Sequence, residues 1–242
     1  MTDYNYLGLV NDVNRRLNEE PLTSANFAAV QGFYASAKEA VNSAIRAINF
    51  QQYEWPFNHV TAEDQLVAGT VRYPYPSDAK TIKFDSFRIQ RDNDLNVKSR
   101  KLNQLDYEEY LDKFVDSEYN IDNDSVRTVP RHVFRTPDLN YGVYPPPDKD
   151  YTLIYEYYRL PVDLILASDV PTIPEQFRHV IVDGAMHHAY LFRSNMDAAM
   201  TAKAQFDAGI KQMRSIFINR EEYVRSGFIE RRSFGVPTLR VG

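Results

Sequence analysis

Asp183 and His187, four residues apart in DGAMHH, are the nearest approach of this sequence to a reactive pair. On a helix they would share one face and could offer two ligands to a metal ion. His187 and His188 are adjacent, so their side chains diverge by about 100° on a helix and cannot close on one ion. No third ligand stands at a telling spacing, and a hydrogen bond or surface ion pair is the plainer reading. The contiguous acids Glu108/Glu109 and Glu221/Glu222 read as solvated faces, because acid–base catalysis needs carboxyls in contrasting surroundings. Tyr155, Tyr157 and Tyr158 in YTLIYEYYR could form a stacking platform for sugars or bases. The sequence has no GxxxxGK[ST], GxGxxG or GxSxG pattern, so phosphate cradles and a hydrolase elbow are missing. No catalytic residue, metal ligand or cofactor site is expected, which favours a structural or interaction protein over an enzyme.

Composition points the same way. The chain has 242 residues, 43% of them hydrophobic and 13% aromatic, ample for a buried core. Its net charge of −5 gives it no overall grip on phosphates. It has no Cys, which excludes disulfides and thiolate chemistry. No apolar run approaches the roughly 20 residues that span a bilayer, and the acidic, polar start does not resemble a signal peptide. The 17 Tyr and 14 Phe suit strands and interfaces where one end of a ring stays wet.

Segment 171–220 organises the rest. Apolar residues at Phe177, Val180, Ile181, Gly184, His188 and Leu191, then at Ala199, Ala202, Phe206, Ile210, Met213 and Phe217, follow helical spacing. Two long helices are predicted, folded back antiparallel at Arg193-Ser194-Asn195, the first opened by a capping box of Thr172 and Glu175 with Pro174 in its first turn. A short helix is predicted before Pro21 and a longer, Ala-rich one over 25–50, whose small residues allow close approach by another helix. Trp55, the only Trp, precedes Pro56 and is expected to seal the junction between helices and sheet; ligand stacking is the alternative.

Between 59 and 160 the period changes to that of strands, at 71–76, 81–91, 128–134 and 151–160, with a helix inserted over 105–114. DLNYGVYPPPDKDYTLIYEYYRLP reads as a hairpin around Pro145-Pro146-Pro147. The last segment mixes Gly, Pro, Arg and isolated apolar residues, the composition of an arm that orders on a partner. The resulting expectation is an α+β protein: an antiparallel helical bundle from N- and C-terminal helices, a central antiparallel β-rich region and an extended C-terminal arm. Its parts are 1–57, 58–166, 167–220 and 221–242.

The order of these elements resembles the head-to-tail adaptor proteins of tailed bacteriophages, also called tail tubular or head-completion proteins, of the short-tailed type. The carrying residues are the Ala-rich helix, WPF, AGTVRYPYP, the PPPD turn into YTLIYEYYRLP, and IPEQFRHVIVDGAMHHAY followed by another helix. The stretch 92–125 departs from the pattern. The resemblance implies a subunit of a homo-oligomeric ring, a dodecamer, at the head–tail junction of the virion. Its partners would be the portal protein and a distal tail or nozzle protein, with DNA passing through the channel unbound and no membrane involved. The arm's Arg225, Phe228, Arg231, Arg232, Phe234, Leu239 and Arg240 are expected to engage the portal, and Ala37, Val41, Ala44, Ala199, Ala202 and Phe206 to pack helices of neighbouring subunits. A tail-associated carbohydrate-binding module or glycan hydrolase using the tyrosine platform is the alternative.

Overall fold

A computed structural model describes residues 3–90, 98–120 and 126–218. They form an α+β structure with one core among helices and another between two sheets.

The helical half consists of α1 (Tyr6–Arg16), α2 (Phe33–Gln51), α5 (Arg178–Phe192) and α6 (Met196–Phe217). Helix α5 is its centre, packing against the other three. Val180 meets Gly209, Gly184 meets Phe206 and His187 meets Ala199, so α5 and α6 run antiparallel. Gly184 facing Ala44 and Phe192 facing Phe33 make α2 antiparallel to α5 as well. Asp12 with Arg178 and Arg16 with Asp183 set α1 parallel to α5. Gly184 is the point of closest approach, where a Cβ would lie 2.7 Å from the Phe206 ring and 2.9 Å from the Ala44 Cβ. A side chain there would force α5 away from both neighbours.

Two local expectations are corrected. The helix predicted over 25–50 starts only at Phe33, because Gly32 has φ +62, a left-handed conformation that cannot continue a helix inward from residue 25. The Thr172/Glu175 capping box does not form either. Residues Glu175–Phe177 make a 3₁₀ turn after Pro174, and the Thr172 hydroxyl donates to Asn58 Oδ1 at 3.2 Å. The turn at 193–195 does fold α6 back, with Ser194 at φ +57 and the Asn195 side chain accepting from the Ala198 N–H.

The β half has two four-stranded sheets. One has the order β1 (His59–Leu66), β8 (Tyr151–Arg159), β3 (Ala79–Ile89), β4 (Arg100–Lys101). The other runs β2 (Arg72–Pro74), β7 (Asn140–Tyr144), β6 (His132–Arg135), β5 (Asn103–Leu105), with β5 and β6 parallel. The predicted hairpin is therefore two strands of different sheets: β7 pairs with β2 and β6, whereas β8 pairs with β1 and β3. Three prolines in succession cannot donate to a ladder, so the chain turns a corner there instead of folding back on its own edge. Short helices α3 (Tyr107–Lys113) and α4 (Asp116–Tyr119) cover the outer side of the second sheet, where the Tyr110 ring stacks on Phe134 at 3.9 Å.

Alternation along β8 sends Leu153, Tyr155 and Tyr157 into the space between the sheets, where they meet Tyr73, Val133, Tyr141 and Val143. Phenols buried this way need partners. Asp64 on β1 accepts from Tyr155 Oη at 2.8 Å and from Tyr141 Oη of the opposite sheet at 2.7 Å. Tyr157 Oη donates to the Asp78 carboxylate at 3.0 Å.

Replacing Tyr155 or Tyr141 with Phe is expected to destabilise the protein by about 1–3 kcal/mol in urea unfolding at neutral pH, because a buried bond to a carboxylate is lost. Burial, then the Asp64 carboxylate, hold both phenols well above the ordinary value of about 10. Their contribution is thus complete below pH 10 and is lost as pH rises beyond it, where the unfolded chain releases protons that the native state retains. The double Tyr→Phe variant should show a shallower alkaline loss.

Candidate assembly interfaces

Of the residues singled out for chemistry, Asp183, His187 and Glu109 already have other partners, and Glu221 and Glu222 lie outside the described residues. Asp183 pairs with Arg16 at 2.5 Å, and His187 Nδ1 lies 2.9 Å from the Ala199 carbonyl oxygen. His188 points another way, its pKa lowered by partial burial and then by the neighbouring His187. Glu109 pairs with Lys113 on the exposed side of α3. Among the described residues no group of three His, Cys, Asp or Glu could hold a metal ion. Tyr155, Tyr157 and Tyr158 are buried, the first two between the sheets, so they present no open ring faces to a sugar. The platform alternative loses its physical basis.

Trp55 sits where helices give way to β1, fully buried. Its Nε1 donates to the Ile48 carbonyl at 2.8 Å, its ring stacks on Phe57 at 5.3 Å, and Phe217 at the end of α6 meets it edge-on. The six small or apolar residues expected between subunits, Ala37, Val41, Ala44, Ala199, Ala202 and Phe206, are all buried in the chain's own core. Their close approach is spent within the subunit, chiefly on α5, and a neighbour would have to open the helical half to reach them. Arg225, Phe228, Arg231, Arg232, Phe234, Leu239 and Arg240 lie outside the described residues.

Apolar surface is instead concentrated in places that sequence periodicity does not mark. One is the strap over residues 160–170. Val162, Ile165, Leu166 and Val170 are all more than half exposed, Ile165 at 74%, while Leu164 between them is buried. Its backbone is fixed. Asn42 on α2 donates through Nδ2 to the Leu164 carbonyl and accepts the Leu164 N–H through Oδ1, both at 3.0 Å. Asp169 Oδ2 accepts from the N–H groups of Ile165 and Leu166 at 2.8 and 2.7 Å. The carbonyls of Asp169 and Ala167 take the amides of Tyr6 and Leu7, two first-turn donors of α1 that a helix leaves unsatisfied.

The second place is the tip of the α5–α6 hairpin, where Phe192, Met196 and Met200 are more than half exposed. Arg193 braces it by pairing with Glu19 and lying over the Phe33 ring at 4.5 Å. The strap holds the start of α1, and Arg193 reaches just past its end. An 11-residue helix therefore separates the two patches, a rise of about 16 Å.

A third feature is a groove of about 440 Å³ between the β2–β3 turn and the end of α2. Tyr53, Tyr75, Pro76 and Phe84 wall it, with Lys80 and Arg135 as its cations. Lys80 Nζ donates to the carbonyls of Asn49 and Gln52, the terminal acceptors of α2, and burial lowers its pKa.

A protein-family model described as "SU10 adaptor protein" matches residues 4–231, and the chain belongs to this family of phage head-to-tail adaptors, structural components of the virion. No curated protein matches the chain. No helix among the described residues is long and apolar enough to cross a membrane.

Asn42→Ala is expected to cost about 1–3 kcal/mol for the backbone groups it leaves unpaired, and to speed amide hydrogen exchange across residues 164–167. Ile165→Ser, at an exposed side chain, should stay within about 0.5 kcal/mol of the parent in the same unfolding measurement.

Proposed function

We propose that the chain is a subunit of a closed ring, a dodecamer, that joins the portal protein to the distal tail or nozzle protein of a short-tailed phage and lines the channel through which DNA passes. The ring reading is carried by the presence of two unlike, braced apolar patches on one subunit. A cyclic assembly above a dimer is held by head-to-tail contacts, in which one surface of a subunit meets a different surface of the next. The strap at residues 160–170 and the Phe192/Met196/Met200 tip supply such a pair. Family membership supports the adaptor role itself.

In this reading the helical half, with α2 and α6 antiparallel to α5 and α1 parallel to it, faces the portal, and residues 58–166 are a β-rich insertion facing the distal partner. The acidic balance of the chain keeps the channel from gripping DNA, since phosphates find few cations to neutralise them. The residues from 221 onward act as an arm that orders on the portal, its arginines pairing with portal carboxylates. The protein performs no chemistry.

Negative-stain imaging of the purified chain with and without a cognate portal should show closed rings on the portal. Ile165→Asp with Met200→Asp should leave the subunit folded and abolish the rings. Deleting residues 226–242 should abolish portal binding while the unfolding midpoint of the subunit is unchanged. Rings formed normally by the aspartate variant, or full portal affinity after the deletion, would overturn the corresponding role.

A further inference from the structure

The groove beside α2 has the features of a strand-binding site, and α6 ends close to it. Its floor is the first half of β3. Strand β3 pairs with β8 on one side and with β4 only at Arg88 and Ile89, so among the described residues no strand pairs with the other side of 79–84. An unpaired strand edge presents a row of backbone donors and acceptors, and an extended peptide is the ligand that matches it. The walls, Tyr53, Tyr75, Pro76 and Phe84, provide ring faces for alternate side chains of such a peptide.

The end of α6 lies against the same helix end that forms the groove. Arg214, in its last turn, donates to the carbonyl of Gln51 at the end of α2, one residue before the Gln52 carbonyl held by Lys80. Phe217 packs on Trp55 and Phe57, two and four residues beyond Tyr53. The chain therefore leaves α6 a few residues' reach from the groove, at about 3.3 Å per extended residue. The sequence that follows carries Phe228, Ile229 and Phe234 for the aromatic walls; with five Arg and three Glu after residue 218, ring contacts and backbone pairing rather than charge are what the groove selects.

We infer that this groove is the docking site of the chain's own residues 219–242, which add to the free edge of β3 as an extra strand. Tethering makes the association intramolecular, so a modest contact area is enough to hold the segment. This goes beyond the adaptor reading and does not rest on it. It adds one consequence to that reading: a segment held in the groove is withheld from the portal, so docking on the portal requires its release.

The absence of native cysteine gives a direct test. Thr81→Cys in the groove is combined, in the full chain, with Ser226→Cys, Ser233→Cys or Thr238→Cys, and each purified double variant is oxidised mildly without any partner. At least one pair should give an intramolecular disulfide, seen as a faster-migrating, reducible monomer band on a denaturing gel, because a disulfide needs Cα atoms within about 7 Å. The same tail cysteines paired with Thr201→Cys, on the exposed face of α6, should give far less of that band. Adding Tyr53→Ala, which removes an exposed groove wall and no core contact, should lower the yield. Equal yields with the Thr201 control, disulfides only between copies, or a yield indifferent to Tyr53→Ala would overturn the proposal. A ring that assembles normally from a subunit with no cross-link refutes the groove while leaving the adaptor role intact.

Discussion

A single carboxylate that takes one phenolic hydrogen from each of two sheets determines how the β half can be built. Asp64 reaches Tyr155 of its own sheet and Tyr141 of the opposite one. A large amphipathic ring can fill the space between sheets only if its hydroxyl finds an acceptor, and an acceptor buried without donors would cost more than the rings gain. The same solution recurs at the margins, where Tyr157 reaches Asp78, Tyr151 reaches Asp148 and Tyr110 reaches Glu118. Glu118 is shared with the Arg72 guanidinium in a two-pronged pair. Five tyrosines share this construction: rings inside, hydroxyls turned to acids.

The helical half obeys a different constraint, which is the narrowness of α5. Gly184, Ala185 and Ala189 let three helices approach one axis, and Gly209 on α6 gives Val180 the same room. Residues that small bury little area each, so the core depends on closeness more than on side-chain volume. The two halves are joined through aromatic rings. Trp55, Phe57, Phe177 and Phe217 contact one another at the ends of α2 and α6, and a shift of α6 would be felt at the first residues of β1. Phe134 shows the same economy in the second sheet. Its ring lies across Gly142, where a Cβ would come within 2.1 Å of it.

The sequence spoke clearly where one period runs long and weakly where burial is one-sided. The paired α5 and α6, their turn and the buried Trp55 were all visible in spacing and residue type. Strand β1 was not, because HVTAEDQL buries only Leu66 fully and carries its charged residues on a strand whose outer side is wet. The two-sheet arrangement was hidden for a related reason: the arms around Pro145–Pro147 look the same whether they pair with each other or with strands far away. The small residues of α2 and α6 were legible as close-packing positions, but spacing cannot distinguish a neighbouring helix of the same chain from one of another subunit. Tertiary contact with α5 decides that, and it is made in the monomer. The strap is not legible in the sequence because PVDLILASDV is neither periodic nor polar. What makes it a surface is Asn42, 122 residues earlier in sequence, which takes both backbone groups of Leu164 and so turns Ile165 and Leu166 outward.

That fixing of the strap bears on why an assembly protein would expose large aliphatic side chains. A mobile apolar loop would lose about 1–2 kcal/mol of backbone entropy for every residue ordered on contact, which would weaken whatever it joined. Here the ordering is completed during folding. Asp169 closes the turn, Asn42 holds its centre, and the first amides of α1 are bonded to its far end. The bonds that hold the strap also satisfy donors at the α1 N-terminus, so loosening the strap would leave helix amides unpaired. The apolar side chains are thus presented by a backbone that cannot relax inward to hide them.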